Sequence, residues 1–249
     1  MQDRLRIVLI GTSHPGNIGA AARAMKTMGL TRLVLVAPHA FPHPEATALA
    51  AGADDVLEQA LVCPDLDTAL ADCGLVLGCT ARRRSVALPE RDPRAAAAEL
   101  IAAAARGPVA LLFGRERTGL TNEELQRCHA AVHIDANPAY SSLNLAAAVQ
   151  VLSYELRVAM QAGAAPAAAA EEGAEEAASQ GELEGFFGHL DQTLHDIDFH
   201  KGRAPEIVMQ RLRRLFLRAA PNARELRILR GILADAQRMA RLALEAGRR

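Results

Sequence analysis

The sequence predicts an α/β fold, a mostly parallel sheet with helices on both faces, followed by a small all-helical region. Three observations predict it. Short apolar runs rich in branched residues alternate with helix-spaced segments as far as residue 162, which is the pattern of strands buried on both faces by crossover helices. The composition then breaks at residues 163–180, a stretch dominated by Ala, Glu and Gly, which has little to bury and reads as a flexible linker. Everything after it has helical spacing only. Periodicity alone describes an unknotted doubly wound sheet, with ligands held at the carboxyl ends of its strands. The domain boundaries read from these breaks are 1–162, 163–180 and 181–249.

The elements follow in order. Residues 6–10 form an apolar run that stops at Gly11, a buried strand. Ile18, Ala21, Ala22, Met25 and Met28 lie on one side of a helix over 18–28, ended by Gly29. Residues 33–36 are a second strand. Residues 42–54 are turn-rich with a short helical piece, and 65–71 a short helix. Strands at 75–79 and 109–113 flank a helix at 93–105. Thr121 and Glu124 have capping-box spacing at the start of a helix over 121–128. A brief strand at 132–134 and a long helix at 143–162 complete the first region. The tail reads as helices at 182–196, 204–218 and 223–247. Leu212, Leu215, Phe216 and Ala219 form one apolar stripe there, and Leu226, Leu229, Ile232 and Leu233 another, both expected in a core.

Composition excludes several functions. Only 3% of the 249 residues are aromatic and none is Trp, which argues against RNA binding by base stacking on an aromatic sheet. The formal net charge is −1, but from residue 200 onward there are 13 Lys or Arg against 4 Asp or Glu. That basic tail is either a solvated helix face or a phosphate-contacting one. Cys63, Cys73, Cys79 and Cys128 show no CxxC pairing, so zinc-ribbon and thioredoxin-like readings lack support. Reduced thiols, no visible signal peptide and no long apolar run lead to the expectation of a cytoplasmic protein away from membranes.

The unusual loops all follow strands. Gly11-Thr12-Ser13-His14-Pro15-Gly16 has the glycine spacing of a phosphate loop, but Asn17 and Ile18 replace the Lys and Ser or Thr that such a loop requires. What remains is a glycine turn feeding a helix whose first N–H groups face an anion, with Arg23 one to two turns further on. The second loop, Gly114-Arg115-Glu116-Arg117-Thr118-Gly119, places two arginines around a glutamate. The third, Asn137-Pro138-Ala139-Tyr140-Ser141-Ser142-Leu143-Asn144, carries more polar groups than one helix cap needs. A fourth, Cys79-Thr80-Ala81-Arg82-Arg83-Arg84-Ser85, also follows a strand.

Residues 11–30, 113–125 and 137–150 together resemble the three signature motifs of the SPOUT superfamily of RNA 2′-O-ribose methyltransferases, in its TrmJ-type tRNA (cytidine/uridine-2′-O)-methyltransferase branch. The resemblance spans residues 5–162 and extends into the tail at 211–218 and 226–233. It implies a trefoil-knotted sheet, S-adenosyl-L-methionine held in the knot loops, and a homodimer with the site near the subunit interface. It implies that Cys79, Thr80, Ala81, Gly114, Ile134, Ser141, Ser142 and Leu143 hold the cofactor. Arg23 takes the place of the catalytic arginine, Asn17 supports its loop, and Ser142 places substrate or cofactor. Arg84 and Arg115 meet RNA. The expected substrate is a cytidine or uridine at position 32 of the tRNA anticodon loop. A ribosomal RNA methyltransferase of the same superfamily and a non-catalytic RNA-binding relative are the alternatives. The helical extension and the absence of any domain before the first strand favour tRNA.

The chemistry sets its own demands. A sulfonium methyl is already activated, so no metal is expected, but the ribose hydroxyl must lose a proton. No His, Asp or Glu triad accompanies the motifs, and His14 is the nearest candidate base. Arginine is an awkward base because guanidinium stays protonated. Arg23 is therefore expected to orient the hydroxyl and stabilise developing negative charge, with phosphate or water taking the proton.

Overall fold

The computed structural model describes residues 2–81, 88–162, 177–202 and 204–246, in two compact units, Met1–Gly173 and Ala174–Arg249. The first unit holds β1 (Leu5–Ile10), α1 (Pro15–Thr27), β2 (Leu33–Val36), α2 (Pro44–Ala50), α3 (Asp54–Glu58), β3 (Leu61–Cys63), α4 (Leu66–Leu70) and β4 (Leu75–Cys79). It continues with β5 (Glu90–Arg91), α5 (Pro93–Ala104), β6 (Val109–Phe113), α6 (Asn122–Gln126), β7 (Ala130–Val132) and α7 (Leu145–Gln161).

The strands form one sheet in the order β3-β2-β1-β6-β4-β7-β5, and every described pairing is parallel. Alternation sends successive residues to opposite faces. Leu5, Ile7 and Leu9 of β1 pack with Ile18 and Met25 of α1, Leu100 and Ile101 of α5, and Val149 and Leu152 of α7. Val8 and Ile10 face the other way, into a core completed by Ala69 and Leu70 of α4 and Leu125 of α6. Both faces are covered, which is why these strands read as continuous apolar runs.

Several boundaries differ from the sequence expectation. Strands β3 and β5 were not anticipated. Both are at sheet edges: β3 is apolar but only three residues long, with Leu61 and Val62 about half exposed, and β5 is two charged residues with no hydrophobic signature. The strand expected at 132–134 is Ala130–Val132, in register with Leu77–Cys79. Small side chains at Ala130 and Ala131 hid it, and Ile134 lies beyond the strand. Helix α7 begins at Leu145 because Asn144 caps it, its Oδ1 accepting from Ala146 N at 2.9 Å. Strands β6 and β7 enter late in the sequence yet take inner positions, β6 between β1 and β4 and β7 between β4 and β5. Residues 82–87, in the β4–β5 connection, lie outside the described residues.

The second unit comprises α8 (Gln180–Asp196), α9 (Pro205–Ala219) and α10 (Ala223–Ala246). Of the expected linker 163–180, residues 163–176 lie outside the described residues. The last four are ordered into this unit. Ala177 bridges to Asn222, Ala178 is buried, and Ser179 forms a capping box with Glu182, worth about 1 kcal/mol. Phe186 and Phe187 of α8 meet Phe216 and Leu217 of α9 and Leu226 of α10 in a separate core. The apolar stripes are narrower than expected. Leu212, Leu229 and Leu233 pack on this core, while Leu215, Ala219 and Ile232 are exposed. Among the arginines expected outside, Arg213 turns inward to pair with Glu184 and lie 4.4 Å over the Phe187 ring.

Candidate active site

A cavity of about 340 Å³ opens at the carboxyl ends of β4, β6 and β7, where parallel sheets hold ligands. Its wall is three loops. Cys79, Thr80 and Ala81 leave β4; Phe113 to Gly119 leave β6; Ile134 and residues 139–143 lead into α7. All eight residues assigned to the cofactor by resemblance line it. Cys79 is not a nucleophile, because burial pushes its thiol up to about 12. Gly114 is required by space, since a Cβ there would lie 2.1 Å from the Gly119 carbonyl carbon and 2.2 Å from Leu120 N. The β6 loop closes on itself through Arg115 and Gly119, whose backbones exchange hydrogen bonds.

The loop before α1 is fastened to this wall by one side chain the sequence reading left out, Glu116. Its carboxylate accepts from Ser13 N and His14 N, from Ser13 Oγ at 2.9 Å and from Asn17 Nδ2 at 3.1 Å. Helix α1 has no side-chain cap of its own, and Glu116 takes the N–H groups of the two residues just before it, Ser13 and the N-cap His14, from across the site. The anion expected at this helix start is thus supplied by the chain itself. Burial alone would raise the Glu116 pKa. The hydrogen bonds from its own backbone N–H, Asn17, Ser13 and His14 outweigh that and hold it at about 2. The clue in the sequence was an acid between two arginines, opposite a loop of unpaired N–H groups.

Asn17 links all three motifs. While its Nδ2 donates to Glu116, its Oδ1 accepts from Asn144 Nδ2 at 3.0 Å, and Asn144 in turn caps α7. Arg115 is engaged inside the loop, its Nη1 donating to both Glu124 oxygens at 2.9 and 3.1 Å. Its side chain packs against Gly11, where φ is +57° and an added Cβ would lie 2.9 Å from Nε. Glu124 also completes the capping box with Thr121. Ser142 and Tyr140 stand exposed at the cavity lip, Tyr140 at 82%.

Arg23 is not brought to this cavity. It is exposed on α1, with no hydrogen bond or ion pair among the described residues, and does not line the wall. Arg84 lies outside the described residues.

Comparison with known proteins places this geometry. The SpoU rRNA Methylase family matches residues 4–154, and the tRNA methyltransferase TrmJ C-terminal domain matches residues 181–245. The tRNA (cytidine/uridine-2′-O-)-methyltransferase TrmJ of Salmonella typhimurium is 54% identical over 235 residues, 94% of this chain and 97% of that protein. The crystal structure of TrmJ from Zymomonas mobilis superposes with a TM-score of 0.80 at 36% identity, covering 92% of this chain and 97% of the other. The SpoU methyltransferase AviRb of Streptomyces viridochromogenes, solved with AdoMet, shares the fold at a TM-score of 0.51 and 20% identity, over 66% of this chain and 63% of its own. The parallel sheet with late strands in inner positions, the three loops joined at Asn17 and the added helical unit are therefore one inheritance: the chain belongs to the SpoU methylase family, with the SPOUT fold and a TrmJ-type C-terminal domain.

Proposed function

We propose that this chain transfers a methyl group from S-adenosyl-L-methionine to the 2′-hydroxyl of a cytidine or uridine in tRNA, at position 32 of the anticodon loop. One observation carries the reading. Three loops converge on a single cavity, and Asn17 fastens the loop before α1 to two of them through Glu116 and Asn144, in a chain that matches TrmJ nearly end to end. Among SpoU relatives, the match of residues 181–245 to the TrmJ C-terminal domain favours tRNA over ribosomal RNA.

The residues present fit the cofactor. A cavity of about 340 Å³ lies within the roughly 300–1,000 Å³ of small-molecule sites. Its wall supplies the backbone of Thr80, Gly114 and Leu143 for an adenosine and the Ser141 and Ser142 hydroxyls for polar contacts. When bound, S-adenosyl-L-methionine supplies a methyl group activated on sulfonium sulfur. The protein's part is alignment. Asn17, Glu116 and Asn144 fix the loop before α1 against the cofactor wall, and Ser142 at the lip orients the incoming ribose.

Arg23 joins the site in a homodimer on this reading. Its exposed place on α1, away from its own chain's cavity, supports completion of the site by a second copy. Arg23 then holds the 2′-oxygen and stabilises the charge that develops as the proton leaves to phosphate or water.

The test is direct. Purified protein with tritiated cofactor and unmodified tRNA should yield a 2′-O-methylated pyrimidine nucleoside, mapped by mass spectrometry to the anticodon loop. Label entering ribosomal RNA but not tRNA would overturn the substrate assignment. Cofactor titration with no binding heat would overturn the enzyme reading.

A further inference from the structure

The second unit carries a cluster of metal-binding groups that methyl transfer does not use. Asp191 and His195 are one turn apart on α8, and His200 follows in the turn after it. One ligand atom from each lies within 4.8 Å of the others. The turn is built to bring His200 back. Asp198 adopts φ +56°, Asp198 N donates to His195 O, and Phe199 N donates to Leu194 O at 2.9 Å. This is a left-handed helix termination of the Schellman kind, made here without glycine.

His200 is the second observation. Its side chain is only 9% exposed, and neither ring nitrogen has a hydrogen-bond partner. A buried polar group without a partner is rare and destabilising. His195 Nδ1, which donates to the Asp191 carbonyl oxygen at 2.9 Å and gives up that proton and bond on binding a metal, lies 3.7 Å from Asp191 Oδ1, and His200 Nε2 lies 3.7 Å from the same oxygen. That separation is too long for a hydrogen bond. It is close to the separation of about 3.3 Å between two ligands bound tetrahedrally to one zinc ion at about 2.0–2.1 Å. Asp196 is engaged elsewhere, accepting from Gln192 and Gln237.

We infer that Asp191, His195 and His200 form a binding site for a divalent transition metal of the zinc class in the helical unit. Two imidazoles and one carboxylate suit Zn²⁺, Co²⁺ or Ni²⁺ rather than Mg²⁺ or Ca²⁺, which prefer all-oxygen sets. A fourth position stays open to water, and the half-exposed His195 and Asp191 give the ion its way in. The ion ties the end of α8 to the turn leading into α9 and satisfies the buried His200 ring. The bound imidazole nitrogens must be unprotonated, so binding releases protons and weakens in acid.

The full chain, stripped with chelator, should bind one equivalent of Zn²⁺ by calorimetry. Co²⁺ in its place should give the visible bands of a low-coordinate nitrogen–oxygen site. His195→Ala, at an exposed position, and Asp191→Asn should each weaken binding by at least roughly 10–100-fold, with unchanged helical circular dichroism. Zn²⁺ should raise the thermal midpoint of the wild type but not of these variants. No binding by the wild type, or equal binding by wild type and both variants, would overturn the site. Retained binding with a normal affinity in His200→Gln would also overturn it.

Discussion

Glu116 is a carboxylate that anchors the loop ahead of α1, and its pKa records that job. Because its folded-state value is depressed from 4.5 to about 2, its hydrogen bonds contribute stability above about pH 4.5. That contribution is lost as pH falls through about 2. Glu116→Gln should therefore be less stable than wild type near neutrality, with the gap closing between pH 4.5 and 2. Urea unfolding at a series of pH values reads this, and a gap independent of pH would refute the account. The same variant should lose methylation, because Asn17 and the Ser13 loop lose their shared anchor. Arg23 is different in kind. No described contact holds it, so Arg23→Ala should leave stability and cofactor affinity unchanged. Turnover should fall on the order of 10²–10³-fold, the loss expected when a group that stabilises developing charge is removed. Near-normal turnover with tritiated cofactor would end its catalytic assignment.

The same local reading works for elements only where burial writes a pattern. Strands β1, β2, β4 and β6 are buried on both faces and were legible as branched apolar runs. Strand β5 is two charged residues made extended by pairing with β7, which no local pattern encodes. The site divided in the same way. The three loops announced themselves by glycine and by excess polar groups after strands. Glu116 was passed over because its partners, Ser13, His14 and Asn17, are about a hundred residues away in sequence. A close approach of helices was hidden for a related reason. Gly19 of α1 sits where an added Cβ would lie 1.9 Å from Ala46 O of α2. Gly19→Ala cannot be absorbed by a rotamer change, because the obstacle is backbone. It should cost at least about 1–3 kcal/mol, measured by urea unfolding. A neutral or stabilising effect, as expected for alanine in an unobstructed helix, would show that α1 and α2 are not packed this tightly.

At the scale of the whole chain, neither strand order nor division of labour follows from local spacing. Sequential strands usually lie side by side, but β6 and β7 enter between strands already laid down. Only the resemblance of the assembled motifs pointed to such a topology. The basic tail posed the opposite problem: its charge was plain, but its use was open. The helical unit narrows the choice. Arg213 is spent internally on Glu184 and Phe187, whereas Arg211, Arg218, Arg227 and Arg230 remain exposed on α9 and α10. If these four meet phosphate, each contact released with its counterion adds about −0.7 to −0.9 to the slope of log affinity against log salt. A protein comprising residues 1–162 should therefore bind cofactor normally but bind tRNA more weakly. Its salt dependence should be shallower by roughly one unit per lost contact. Replacing the four exposed arginines with glutamine in the full chain should reproduce most of that change, while replacing Arg213 should instead lower the thermal stability of the helical unit. Equal affinity and equal slope for the full chain and the four-arginine variant would mean that the tail is a solvated face, and that tRNA is held by the methyltransferase unit alone.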